Sequence, residues 1–212
     1  MRTHINLQFV ALVLGAALLV SRPASQAAII VWGLPTLISG DSDVSTHGTL
    51  IGAFNTGGPA VANTTVNGVP FAPFELIGPS VTSGDFTFST STNLANSDTF
   101  GSTLAPFSNL SAPYRVLLGS AAGSIVTVVT LTINNLTVGA AYEFEWWSNY
   151  SAGSTPPYTT IATAGDSVSL IVNVSGAAGG VGSLRLATLW PMRQVFRRCS
   201  ACVALTAAQV NR

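Results

Sequence analysis

Residues 131–151 read LTINNLTVGAAYEFEWWSNYS, and this stretch carries the most information about the fold. Apolar side chains recur at every second position before Ile133 and again from Tyr142, which is the period of a β-strand. Between these runs, Leu136 and Gly139 lead into Tyr142 where the chain turns from one strand into the next. Antiparallel sandwiches place a tyrosine at such a corner, with its hydroxyl bonded to backbone upstream. The stretch therefore predicts two strands joined by a tyrosine corner.

The second of these strands predicts two faces of different character. Side chains alternate across a strand, so one face holds Tyr142, Phe144 and Trp146, and the other holds Glu143, Glu145 and Trp147. The first set is apolar, and we expect it in the core. The second set carries two carboxyl groups, and we expect it at the surface. Trp146 is then structural, whereas Trp147 is an exposed indole available to a ligand.

The rest of the chain has the punctuation of an all-β protein. Short β-rich runs alternate with Gly, Pro, Asn and Ser, and no capped apolar stripe with a helical period persists. Thr64–Phe71 places Asn67-Gly68 between two alternating arms, which is the pattern of a tight hairpin. Many strands of this spacing predict an antiparallel β-sandwich or barrel. The other predicted strands are Ala28–Trp32, Thr49–Phe54, Phe86–Ser89, Tyr114–Leu118, Ile125–Ile133 and Val168–Val174.

The first 27 residues predict export. Arg2 precedes the apolar run Phe9–Val20, and small residues follow at Ser25 and Ala27. This is the three-part plan of a secretory signal peptide, with cleavage expected after Ala27. The apolar run is shorter than the ~20 residues that a transmembrane helix needs, and the alternative is an uncleaved anchor. We therefore expect a secreted protein with no transmembrane helix in its mature chain.

Charge is distributed unevenly along the chain. Between Ala28 and Gly182 eight acids oppose one base, Arg115, whereas residues 183–212 contain five arginines and no acid. An acidic body repels phosphate backbones, which argues against a nucleic-acid partner. The change at Gly182 predicts a β-sandwich domain over residues 28–182 and an atypical basic tail over residues 183–212. Two explanations of the tail stay open: a shift of reading frame near Gly182, leaving the tail poorly ordered, or a native extension.

Four blocks between Ile38 and Gly182 resemble a family of secreted bacterial proteins: SGDSDVSTHGTL, TVNGVPF, LTVGAAYEFEWWSN and NVSGAAGGVG. The family is similar to galactose-binding-like domains, and many members end in a cell-surface sorting segment. The resemblance implies a two-sheet antiparallel β-sandwich of jelly-roll type at the cell surface. Members tend to carry Asp and Arg where this chain has Tyr150 and Ser151. The family has no established activity, so the resemblance implies architecture and location only.

The face of Glu143, Glu145 and Trp147, with Asn149 just beyond it, is the first candidate site. Carboxylates accept hydrogen bonds from sugar hydroxyls, and an indole stacks on apolar sugar faces. The partner would be an extracellular polysaccharide or another cell-surface component. A glycoside hydrolase is the alternative, because its two carboxyl groups lie ~5–9.5 Å apart, a separation that alternate positions of one strand provide. Nothing in the sequence gives either glutamate the raised pKa of a general acid, and a plain solvated face is a further interpretation.

Asp41, Asp43 and Ser45 alternate in the segment SGDSDVSTHG. Oxygen ligands at that spacing resemble the start of a calcium loop, so a structural calcium is the one cofactor that the sequence suggests. The glycine of such a loop comes late here, at Gly48, and Gly52 stands where a bidentate glutamate belongs. The alternative is that the Asp and Ser side chains cap a turn.

No constellation of catalytic residues is recognisable in the mature chain, whose one histidine is His47. A serine nucleophile needs a base, and His47 lies too close in sequence to the serines around it to be an obvious partner. We therefore predict a non-catalytic secreted protein, with a carbohydrate-active hydrolase using Glu143 and Glu145 as the alternative.

Overall fold

The computed structural model describes residues 29–57, 62–75, 79–90, 95–97, 99–123, 129–154, 159–164, 166–190 and 204–210. The predicted signal peptide lies outside these residues. Within the described part, the chain consists of β-strands, one α-helix of eight residues and two short 3-10 turns. The predicted all-β class is confirmed, while the jelly-roll-like sandwich topology stays a prediction.

The strands have the following bounds: β1 (Ile29–Trp32), β2 (Thr36–Leu37), β3 (Thr49–Gly57), β4 (Thr64–Val66), β5 (Val69–Glu75), β6 (Ser80–Ser83), β7 (Phe86–Thr90), β8 (Ala95–Ser97), β9 (Ala121–Gly123), β10 (Val129–Ile133), β11 (Ala141–Ser148), β12 (Thr159–Ala164), β13 (Asp166–Ile171), β14 (Ser183–Trp190) and β15 (Ala204–Val210). Helix α1 spans Ala112–Gly119, and the 3-10 turns span Asp41–Asp43 and Phe107–Asn109.

The largest sheet, called the central sheet below, has the strand order β1-β14-β11-β15-β3-β5-β4, with β2 also paired to β14. A three-stranded sheet has the order β10-β7-β6, and β12-β13 and β8-β9 form two-stranded sheets. Within the central sheet, β3 and β5 run parallel, and β11 runs antiparallel to both of its neighbours. Strand β11 is therefore an inner strand with a partner on each side.

The central sheet is buried on both faces at β11. On one face, Phe144 and Trp146 pack with Phe86 of β7 and Ile133 of β10 in a cluster that we call core 1. On the other face, Trp147 packs in a second cluster, core 2. The other contributors to core 2 include α1, the β4–β5 hairpin and the segment after the Asp41–Asp43 turn. The face predicted to be exposed is thus covered by these segments.

The tyrosine corner is confirmed. The backbone N–H of Thr137 donates a hydrogen bond of 2.7 Å to the hydroxyl of Tyr142, which ties the start of β11 to the connection before it. Gly139 provides the turn with a φ of 82°, a conformation that side chains other than glycine rarely adopt. The predicted alternation also holds, because Trp146 is 1% exposed and lies in core 1.

The Asn67-Gly68 hairpin is confirmed as well. Both residues have positive φ, 49° and 79°, as a two-residue type I′ turn requires, and they join β4 to β5. The side-chain amide of Asn67 donates a hydrogen bond of 2.7 Å to the carbonyl of Val44. The hairpin is therefore fastened to the segment that follows the Asp41–Asp43 turn.

The strand predicted at Tyr114–Leu118 is wrong, because these residues form α1. The hydroxyl of Ser111 caps the helix by accepting from the backbone N–H of Tyr114, and Pro113 stands in the first turn, where proline is tolerated. Tyr114, Leu117 and Leu118 share one face at helical spacing and are fully buried. No helix in the described part of the chain is long and apolar enough to span a membrane.

The boundary predicted at Gly182 is also wrong. Ser183–Trp190 form β14, which lies between β1 and β11 in the central sheet, and Ala204–Val210 form β15 on the other side of β11. Local composition misled because arginine is unusual in an inner strand. Arg185 pairs with Trp146, its buried Nε has no partner among the described residues, and burial lowers the pKa of its guanidinium. The reading-frame hypothesis concerns the gene and stays a prediction.

Candidate functional site

The indole of Trp147 is an interior group. It is 0% exposed, and its ring meets the ring of Phe71 edge-on with centroids 6.0 Å apart. Its Nε1 donates a hydrogen bond of 2.9 Å to the hydroxyl of Tyr114 on α1. The prediction that Trp147 is exposed is therefore wrong. Alternation placed it correctly on the face opposite Trp146, but α1 and the β4–β5 hairpin cover that face.

Glu145 lies beside Trp147 on the same face and is buried, with 3% of its surface exposed. Both carboxyl oxygens lie 3.1 Å from the backbone nitrogen of Ser45, so one N–H serves two acceptors. Burial raises the pKa of Glu145 to about 8, the bond from Ser45 opposes this rise, and the charges of Glu143 and Asp43 add to it. The expectation that nothing raises the pKa of this glutamate is wrong, because the sequence did not show what would bury it.

Glu143 is the more accessible of the two glutamates and is half-buried. Its Oε1 is buried and has no hydrogen-bond partner among the described residues. Because the charges of Glu143 and Asp43 both act on Glu145, these three carboxyl groups are called the acid cluster below. The cluster brings together two strand residues and one residue of the Asp41–Asp43 turn.

The aspartates of the turn are occupied by donors from their own chain. Asp43 accepts from the backbone N–H groups of Ser39 and Gly40, at 2.7 Å and 3.1 Å, and from the hydroxyl of Ser39 at 2.6 Å. Asp41 accepts from the hydroxyl of Ser111 at 2.6 Å. These contacts are those of carboxylates that cap and fasten a turn.

The suggested calcium ligands are therefore not arranged as a metal site. The backbone N–H of Ser45 donates to Glu145, and the hydroxyl oxygen of Ser45 accepts from the backbone N–H of His47. No group of three or more His, Cys, Asp or Glu side chains in the described residues is placed to hold a metal ion. The capping alternative accounts for the geometry of Asp41 and Asp43.

The hydroxyl of Tyr114 joins the sheet to the turn. It accepts from Nε1 of Trp147 and donates a hydrogen bond of 3.0 Å to Oδ2 of Asp43. Burial raises the pKa of this hydroxyl, and the negative charge of Asp43 raises it further. Tyr114 therefore keeps its proton and can donate and accept at once.

Asn149 does not lie with the acid cluster at a binding surface. It is 3% exposed, and its amide group donates to the carbonyl of Leu118 at 3.1 Å. Its oxygen accepts from the hydroxyl of Ser151 at 3.0 Å and from the backbone N–H of Gly182 at 3.1 Å. The prediction that Asn149 contacts a ligand is corrected, because its polar atoms fix the chain between α1, β11 and β14.

Sequence reasoning missed Tyr114 and Ser111, two residues that organise this region. The available signal was a helix start: Ser111, a proline two positions later, and apolar residues at helical spacing from Tyr114. Asn67 was recognised as a turn residue. Its bond to Val44 is a tertiary contact, which no local sequence pattern predicts.

The arrangement can hold a proton on Glu145 close to two further carboxyl groups. Among the described residues it contains no serine paired with a histidine, since His47, whose side chain is exposed, makes no side-chain hydrogen bond there. The chain matches no protein-family model, no curated protein and no solved structure.

Proposed function

We propose that this protein is a secreted, non-catalytic β-sandwich module of the cell surface or extracellular matrix, and that it binds glycan. The observation that carries the non-catalytic part is the position of Glu145. Its carboxyl is buried under the Asp41–Ser45 segment and bonded to Ser45. A hydrolase needs its acid within hydrogen-bond reach of the substrate, and this acid is covered by its own chain.

The location rests on two features of the sequence. The first 27 residues follow the plan of a secretory signal peptide, and the blocks between Ile38 and Gly182 resemble a secreted family. The net negative charge of residues 28–182 fits a partner without phosphate groups.

Glycan binding is assigned to surfaces other than β11. Hydroxyl-rich ligands need exposed acceptors and donors, and the connections of this chain are rich in Ser, Thr and Asn. Trp147 cannot stack on a sugar ring while it is enclosed in core 2. Glycan affinity should therefore be unchanged by a substitution of Trp147 that leaves core 2 folded.

A glycoside hydrolase remains a second candidate because of one observation. Burial raises the pKa of Glu145 to about 8, and a protonated carboxyl at neutral pH is what a general acid requires. Glu143, two positions away on the same face, would be the second carboxyl group. Substrate would reach Glu145 only if the Asp41–Ser45 segment moved aside.

A glycan array and a hydrolysis screen on the purified protein distinguish the two functions. We expect binding of an extracellular polysaccharide with no release of sugar, and the same binding by Trp147→Phe. Glu145→Gln is the decisive variant for hydrolysis, and Glu75→Gln, on β5, is its control for loss of one carboxyl. Sugar release that Glu145→Gln abolishes and Glu75→Gln retains would overturn the non-catalytic proposal. Failure to bind any glycan would overturn the binding part.

A further inference from the structure

The Asp41–Ser45 segment is held by the buried side chain of Val44, by the bond from Asn67 to the Val44 carbonyl, and by further polar contacts. Ser45 bonds to Glu145 of β11, and Asp43 bonds to Tyr114 of α1. Asp41 accepts from Ser111, the capping residue of α1. Of these contacts, the one between Ser45 and Glu145 depends on a carboxyl group that is buried.

The surroundings of Glu145 disfavour a negative charge. Its two oxygens share one N–H, so an ionised carboxylate would have unsatisfied acceptor positions away from water. The charges that act on it, Asp43 from the turn and Glu143 from its own strand, are both negative. Helix α1 contributes the hydroxyl of Tyr114, which keeps its proton.

The neighbouring strands add no charge at the paired positions. Leu186 of β14 and Thr206 of β15 lie opposite Glu145 in the register of the central sheet. His47, in the loop that follows Ser45, has an exposed side chain. The negative charge of ionised Glu145 would therefore be stabilised more by water than by the folded surroundings of the side chain.

We propose that the Asp41–Ser45 segment is a pH-sensitive latch, held closed over β11 by the protonated carboxyl of Glu145 and loosened as that proton is lost. Opening would let water reach Glu145 and release its bond to Ser45. The proton passes to solvent, and no other covalent change is involved. The latch controls access to Glu145 whether or not the protein binds glycan.

The direction and range of the effect follow from proton linkage. In the open state Glu145 regains a pKa near its ordinary value of 4.5, whereas in the closed state burial raises the pKa to about 8. Between these values the open state binds fewer protons than the closed state. The opening equilibrium therefore rises about tenfold for each pH unit in that interval and levels off above the upper value.

Hydrogen exchange of the Ser45 amide, followed by NMR on the purified protein, tests the latch. The protection factor, corrected for the pH dependence of chemical exchange, should fall about tenfold per pH unit between pH 4.5 and about 8. Glu145→Gln should remove this dependence, because an amide keeps an acceptor for Ser45 but cannot ionise. Glu143→Gln should move the upper end of the interval to lower pH, because it removes a repelling charge. Glu75→Gln is the control and should leave the interval in place.

A protection factor that is independent of pH in the unaltered protein would overturn the latch. So would a dependence that persists in Glu145→Gln. If Glu145→Gln does not fold, the Glu143→Gln result decides, because an unmoved interval there contradicts the role of the acid cluster.

Discussion

The indole Nε1 of Trp147 lies 2.9 Å from the hydroxyl oxygen of Tyr114 and donates a hydrogen bond to it. The two residues belong to different elements, β11 and α1, and both are 0% exposed. Because the same hydroxyl donates to Asp43, one buried tyrosine connects sheet, helix and turn. A residue that resembles a sugar-stacking tryptophan is thereby part of the interior.

A double-mutant cycle measures the bond between Trp147 and Tyr114. Tyr114→Phe leaves the indole N–H without its partner, and Trp147→Phe removes the donor together with part of a buried ring, so each should cost about 1–3 kcal/mol of unfolding free energy. The double variant should cost less than the sum of the two, with a coupling of about 1 kcal/mol. Urea melts supply the four values. Additive losses would mean that the bond contributes nothing.

The pH dependence of global stability should carry the signature of Glu145. The pKa of Glu145 in the folded protein lies above its ordinary value. The contribution of Glu145 to the free energy of unfolding is therefore fully present below pH 4.5 and is lost as pH rises to about 8. The unfolding free energy of the unaltered protein should fall relative to that of Glu145→Gln over this interval. Urea melts at several pH values provide the comparison. Plots of unfolding free energy against pH that run parallel for the two proteins would contradict the assignment of this pH dependence to Glu145.

Gly68 should be required for its backbone conformation alone. Its φ is +79°, and a Cβ added there would meet nothing within 4 Å. Gly68→Ala should therefore cost about 1–2 kcal/mol through backbone strain. Gly40→Ala is the matched control, because Gly40 has extended backbone and equal space for a Cβ. Thermal or urea melts that show equal losses for the two variants would refute the type I′ turn.

The placement of β14 in the central sheet is testable with two leucines. Leu184 is 6% exposed and lies in core 2, whereas Leu186 is 38% exposed. Leu184→Ala should cost about 2–5 kcal/mol, and Leu186→Ala should cost about 1 kcal/mol or less. The difference is measured by urea denaturation. Equal and small losses of unfolding free energy in the two variants would mean that residues 183–190 form a tail outside the domain.

Local sequence patterns were sufficient to predict features that depend on residues close together in the chain. The alternation before Ile133 and after Tyr142, the tyrosine corner and the Asn67-Gly68 turn all depend on residues close in sequence, and the structure confirms them. The burial of Trp147 and Glu145 could not be predicted in this way. Their covering partners lie 33 and 100 positions away in the chain, at Tyr114 and Ser45.

The remaining differences between the sequence-based predictions and the structure arose because local composition was misjudged. The short apolar run at Tyr114–Leu118 fits a strand or a helix, and the cap at Ser111 was the signal that distinguishes them. Arginines made residues 183–212 look unlike a sheet, although Leu184 is buried in core 2 and Ala187 in core 1. Carboxylates were expected at the surface, but a carboxyl that keeps its proton can be buried at lower cost.

The most direct test compares Trp146→Ala with Trp147→Ala in urea melts. Both indoles are enclosed, Trp146 in core 1 and Trp147 in core 2, with exposed fractions of 1% and 0%. Each substitution should therefore cost about 3–5 kcal/mol of unfolding free energy. A large loss for Trp146→Ala with a loss below about 1 kcal/mol for Trp147→Ala would contradict the burial of β11 on both faces. That result would restore Trp147 as an exposed platform for a ligand.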